Sequence, residues 1–201
     1  MNNAVPPAKS LTGIILAGGK SLRMGLDKAF LEVEGIPIIE RTDALFRKLF
    51  SETIIVTNQE KHFKGFGTRI CRDLIPEGGA AGGLFTGLFF SSFPYSFAVA
   101  CDMPYLNEPL IAYLIANMED YDVVVPRTKD GLQPLHAIYS RNCLEPLRKI
   151  IRGGKRRVID FYPMVRVKMI PEDEFSDLDP LAESFLNVNT PDELQFLRKR
   201  L

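Results

Sequence analysis

Short apolar runs recur along this chain, and each is stopped by glycine or a polar residue. Residues 12–17 run into Gly18, 53–57 end at Asn58, 68–71 lead to Asp73, and 96–101 stop at Asp102-Met103-Pro104. Further runs cover 122–126 and 135–139. Runs this short fit buried strands better than helices. Helical patterns separate them. Pro37 opens one carrying Ile38, Thr42, Leu45, Phe46 and Leu49; others are expected over 84–90, 108–118 and 143–151. Thr190, Pro191 and Glu193 have N-cap, first-turn and third-position chemistry for a last helix to residue 200. This rhythm predicts an α/β chain, a mostly parallel sheet with helices on both faces. Ligands of such sheets bind outside the carboxyl ends of the strands. That rule alone selects Ala17–Gly18, Asn58, Asp73 and Asp102.

The 201 residues suit one domain, expected over 11–201, behind a tail at 1–10 that contains Pro6 and Pro7. Lys plus Arg and Asp plus Glu are 25 each, a balance that argues against a nucleic-acid binder but leaves room for a small anionic substrate. No apolar stretch is long enough to cross a bilayer, and no signal-like run opens the chain. Cys71, Cys101 and Cys143 form no Cys-x-x-Cys pair, so neither a zinc knuckle nor a disulfide framework is indicated. The expectation is a reduced, cytoplasmic, soluble protein without membrane contact.

The first glycine-rich segment reads Leu16-Ala17-Gly18-Gly19-Lys20-Ser21-Leu22-Arg23-Met24-Gly25-Leu26-Asp27-Lys28. It contains neither Gly-x-Gly-x-x-Gly nor a P-loop. It offers unobstructed backbone N–H groups and two cations, Arg23 and Lys28, which suit a polyphosphate. Spacing alone leaves a second reading open: a strand-to-helix turn with both cations solvated. Asp102 carries two readings as well, a hard oxygen ligand for Mg²⁺ or a side chain capping the next turn. Asp73 could equally form a routine surface pair with Arg72.

The whole string resembles the signature Leu-Ala-Gly-Gly-x3-Arg-Met-Gly-x-Asp-Lys of the MobA-type molybdenum cofactor guanylyltransferases, at every fixed position. Asn58, Asp73, Cys101-Asp102-Met103-Pro104, Gln133-Pro134-Leu135 and Asn187-Val188-Asn189-Thr190-Pro191 continue the match in the family's order. The resemblance implies a single-domain Rossmann-like nucleotidyltransferase fold that uses GTP and Mg²⁺. The phosphate of molybdopterin, or of its molybdenum-loaded form, would attack the α-phosphorus of GTP and release pyrophosphate. By the same resemblance Leu16, Ala17, Gly18, Gly19 and Lys28 hold the nucleotide, with Gly78 and Gly82 in the second glycine-rich segment. Asn58 and Asp73 approach base and ribose. Asp102 binds nucleotide and metal, and Arg23, Lys28 and Asp102 form the catalytic set. Gln133, Asn187 and Asn189 are acceptor-side candidates, and molybdoenzymes or delivery proteins are candidate partners. Positioning and charge neutralisation suffice for such a transfer, so no covalent enzyme intermediate is expected.

One segment departs from the family, whose pattern there is Gly-Pro-Leu-Ala-Gly. Gly79 and Ala80 replace Pro and Leu, freeing a backbone expected to form a loop over 78–83, at a cost of about 0.4–1 kcal/mol. This bears on base selectivity. The alternatives are a cytidylyltransferase, an inactive nucleotide-binding regulator and a sugar-1-phosphate nucleotidyltransferase. Six cations crowd residues 148–157, either docking an anionic pterin or acceptor protein, or solvated and balanced by the acids of 172–179. His62 and His136 have no ligand-spaced partners, which favours structural or exposed roles over metal binding, and Phe85, Phe89 and Phe90 read as core.

Overall fold

The computed structural model describes residues 10–18, 28–188, 190 and 193. Ten strands and four α-helices are formed among them: β1 (Leu11–Leu16), β2 (Glu32–Val33), β3 (Ile36–Pro37), α1 (Ile38–Leu49), β4 (Glu52–Thr57), β5 (Arg69–Arg72), α2 (Gly79–Phe90), β6 (Tyr95–Ala100), α3 (Glu108–Ala116), β7 (Val123–Thr128), β8 (Gly131–Leu132), β9 (His136–Ser140), α4 (Leu144–Arg152) and β10 (Val167–Pro171). The main sheet runs β10-β7-β9-β6-β1-β4-β5, with β8 on β7, and β2–β3 make a separate hairpin. β6, β1, β4 and β5 are mutually parallel; β9 runs antiparallel between β6 and β7.

The apolar runs become strands because every residue of β1 is buried, and neighbours point to opposite faces. Ile15 packs with Ile39 and Phe46 of α1 and with Leu110, Ile111 and Leu114 of α3 in one cluster. Ile14 and Leu16 face the other way, with Leu84 and Leu88 of α2 and Leu147 and Ile150 of α4. The helices therefore cover both faces, two on each.

Two local differences from the sequence expectations have physical causes, and His136 takes one of the roles expected of it. The α2 helix begins at Gly79, five residues earlier than its apolar pattern, so most of the glycine-rich stretch is a first turn and not a loop. Glycine and alanine give no periodic signal there, and tertiary packing supplies the reason for the helix. Phe89 is 51% exposed: it stacks on Phe85 along an outer stripe, while Leu84 and Leu88 take the inward positions. His136 is fully buried, held edge-on between Phe97 and Phe185 at 5.1 and 4.9 Å. Of the last helix only the cap lies in the described residues, the Glu193 N–H donating to Thr190 Oγ1 at 3.2 Å.

Candidate active site

The chain steps from β1 outward to β4 and β5, then returns to the other side of β1 as β6. The loops leaving β1 and β6 therefore diverge, and a crevice opens at the carboxyl ends of these two strands. A cavity of about 260 Å³ occupies it. Leu16, Ala17 and Gly18 form its floor at the end of β1, beside Val56 and Asn58 from β4, Asp73 after β5, and Ala100, Cys101 and Asp102 from β6. The strand ends are tied together: Ala17 N–H donates to the Val56 carbonyl at 2.9 Å, and Cys101 N–H to the Leu16 carbonyl at 3.2 Å.

Gly18 has open space where a side chain would stand, leaving its backbone accessible to a ligand. Lys28 enters from a short 3₁₀ turn, Lys28–Phe30, anchored by buried Ala29 and by Phe30 against Phe63. Its ammonium lies 3.8 Å from Asp102 Oδ2. Asp102 Oδ1 is buried and receives no hydrogen bond from another described residue. Burial pushes this carboxyl above its ordinary range, and the Lys28 ammonium only partly opposes that. A carboxylate oxygen buried without a donor is costly unless a cation or ligand donor meets it. The backbone of the residue is fixed too, since Val188 N–H donates to the Asp102 backbone carbonyl at 2.9 Å. That bond brings the neighbouring Asn187 into the cavity wall.

Asp73 pairs with α2 and not with Arg72: its Oδ1 accepts from Thr86 Oγ1 and from Ile75 N–H, each at 2.9 Å. Gly78 and Gly82, expected as nucleotide contacts, are not part of the cavity lining. A Cβ at Gly82 would stand 2.6 Å from the Ile75 carbonyl oxygen, and one at Gly78 2.6 Å from Gly82 Cα. These close approaches pack the start of α2 under the Asp73–Pro76 turn. Gly79, Ala80 and Gly83 line the cavity instead. Gly79 takes φ +60° beside Arg156, whose guanidinium donates to the carbonyls of Glu77 and Ile151 and whose own carbonyl accepts from Ala81 N–H.

Gln133 does not reach the cavity; its amide donates to Thr128 Oγ1 at 2.9 Å, and Leu135 of the same motif lines the wall. Gly19, Arg23 and Asn189 lie outside the described residues. Pro76, Val56, Ala100, Cys101 and Leu135 complete the lining without functional-group chemistry that marks them in the sequence, although Cys101 and Leu135 lie inside the family's motifs. Among the described residues no group of three or more His, Cys, Asp or Glu could hold a metal.

Among the described residues, two of the six cations of the basic stretch form ion pairs within their own neighbourhood, and neither of those pairs involves the acids of 172–179. Arg148 pairs with Glu145 at 2.5 Å and Arg157 with Asp160 at 2.9 Å. Glu172 accepts from Lys129 N–H, and Asp179 receives the backbone N–H groups of Glu183 and Ser184. No described helix is long and apolar enough to cross a membrane.

Comparison with known proteins places this arrangement. The model of the MobA-like NTP transferase domain matches residues 13–167. A protein of Pelotomaculum thermopropionicum named probable molybdenum cofactor guanylyltransferase is 42% identical over 91% of this chain and 89% of its own length. The molybdenum cofactor guanylyltransferase of Desulfosudis oleivorans is 37% identical over 92% of this chain and 93% of its own. The fold matches the crystal structure of molybdopterin-guanine dinucleotide biosynthesis protein A from Archaeoglobus fulgidus, with a TM-score of 0.80 at 24% identity over 95% of this chain and all of that one. With its floor at the ends of β1 and β6 and its matching sequence on both sides of that cleft, the chain belongs to the MobA-like NTP transferase family.

Proposed function

We propose that this protein transfers GMP from GTP to the phosphate of molybdopterin or its molybdenum-loaded form, in a Mg²⁺-dependent reaction that releases pyrophosphate. The observation that carries the reading is the Asp102–Lys28 pair at the switch-point cleft, with one carboxylate oxygen left without a donor among the described residues. That oxygen fits Mg²⁺, which takes one or two carboxylates and completes its shell with water and substrate phosphates. When bound, the ion supplies charge neutralisation at the α-phosphate and the departing pyrophosphate.

The chain's own residues do the rest. The backbone of Ala17 and Gly18 receives phosphate or base at a surface without side-chain obstruction, and Lys28 adds a positive charge beside it. Asn58 and Asp73, on neighbouring strand ends, present hydrogen-bonding groups to sugar and base. Asn187 lines the same cavity and is the candidate contact for the acceptor phosphate. The acceptor is already anionic at neutral pH, so no general base is required. Names of the relatives given above support guanine as the base.

A thermal-shift series with GTP, CTP, ATP and UTP, each with and without Mg²⁺, tests the reading. A ligand at 100 times its dissociation constant stabilises by about 2.7 kcal/mol. GTP with Mg²⁺ is expected to give the largest shift. A larger shift with CTP would replace the guanylyl reading by the cytidylyl one, and no shift with any nucleotide would contradict both.

A further inference from the structure

Thr86 is fully buried in α2 and does not line the cleft. Its hydroxyl nevertheless meets three groups: Asp73 Oδ1 at 2.9 Å, the Leu74 N–H at 3.0 Å and the Gly82 carbonyl at 3.0 Å. It has one proton to give. Gly82 lies four residues upstream in the same helix, where its carbonyl serves the helical ladder, and a carboxylate is the stronger acceptor. The hydroxyl thus donates to Asp73 and accepts from Leu74. With the Ile75 N–H also on Oδ1, that oxygen is held from two sides. Oδ2 receives none of the hydrogen bonds formed among the described residues and remains for a ligand.

We infer that Thr86 is a positioning residue for nucleotide binding: it fixes the Asp73 carboxylate so that its second oxygen meets donor groups on the sugar or base of GTP. The inference rests on the proposed reading of the cleft as a GTP site. Thr86 also joins the two segments that form this wall. Its hydroxyl reaches from the middle of α2 to the turn after β5, so the carboxylate and the helix keep one relative placement. A valine there has nearly the same shape but neither donates nor accepts.

GTP affinity, measured by calorimetry with Mg²⁺ and no acceptor, separates this role from simple support of the fold. D73N is expected to weaken binding by more than about tenfold, and T86V by about tenfold, equivalent to about 1.4 kcal/mol. T86S, which keeps the hydroxyl, is expected to stay within about threefold of the parent, and T86V to add less than about twofold in the D73N background. In the transfer assay T86V should raise the KM for GTP while kcat changes little, because Thr86 touches no reacting atom. Should T86V fail to fold, T86A and T86S carry the same comparison. Normal GTP binding by T86V alongside weakened D73N would overturn the positioning role and leave the GTP reading intact. An equal loss from T86V with and without D73N would also overturn it, since the effect would then run through the fold. An unaffected D73N would overturn the assignment of Asp73 itself.

Discussion

Asp102 and Asp122 are both largely buried carboxylates at ends of the same sheet, and they are treated in opposite ways. Asp122 precedes β7, at the amino end of its strand. It accepts from Ser140 Oγ at 3.1 Å, Asn142 Nδ2 at 2.9 Å and Arg166 N–H at 3.0 Å, with the Arg166 guanidinium 3.6 Å away. Burial opposes its ionisation, but these donors prevail and hold the carboxyl below its ordinary value. Asp102 follows β6 at the carboxyl end, keeps an oxygen without a described donor, and is pushed upward. A satisfied carboxylate stabilises a fold; one kept short of donors is held ready for something that arrives. On the proposed reading, the amino ends of the strands serve stability and the carboxyl ends serve chemistry.

Removing each carboxylate gives the largest expected contrast. D102N should lower GMP transfer at least about 100-fold, since on the proposed reading it removes charge where metal and phosphate would meet. Because the folded Asp102 titrates above its unfolded value, ionisation costs more in the fold, and stability falls as pH rises through the folded value. D102N should therefore be as stable as the parent at neutral pH, or more stable by about 0.5–1 kcal/mol. Asp122 has the opposite sign. Its contribution is present above the unfolded value near 3.8 and is lost as pH falls through the lower folded one. D122A should cost about 3 kcal/mol, a fall of about 2–4 °C per kcal/mol in Tm, by leaving its donors unpaired. Denaturation and transfer assays on the same preparations check both; comparable stability losses in the two would break the contrast.

His136 sharpens the comparison through pH. Burial pulls its imidazole down to about 3, whereas an unfolded histidine titrates near 6.5. Between those values the unfolded chain takes up a proton that the folded chain refuses. Stability from this group is complete above pH 6.5 and declines by about 1.4 kcal/mol per unit as pH falls toward the folded value. In H136L this part of the acid slope should vanish, which stability curves at pH 6.5, 5.5 and 4.5 would reveal. An unchanged slope would contradict burial of the neutral ring.

Two glycines give the smallest effects. G82A sets a methyl against the Ile75 carbonyl and should cost about 1–3 kcal/mol of stability. G18A places its methyl in open space on the cleft floor, so stability should change by less than about 0.5 kcal/mol while GTP binding weakens. Calorimetry and melting curves on the pair distinguish packing from binding.

The strands were legible because burial on both faces demands unbroken apolar runs, and the strand-end rule brought Gly18, Asn58, Asp73 and Asp102 into one cleft. What remained hidden was written in small or satisfied residues. The α2 first turn has low helical propensity and forms because Gly78 and Gly82 allow close contact with Ile75. Gly79, Ala80 and Gly83 carry no functional groups, so nothing in their chemistry advertised a cavity wall. Thr86 and Asp122 act through partners 12 to 44 residues away, a distance no local pattern reports.

The most direct measurement follows label from α-phosphate-labelled GTP into molybdopterin, with and without Mg²⁺, for the parent, D102N and D122N at a temperature where all three are folded. Transfer that requires Mg²⁺, survives in D122N and is lost in D102N is the expected result. Equal transfer by D102N and the parent would contradict the placement of chemistry at the carboxyl end of β6.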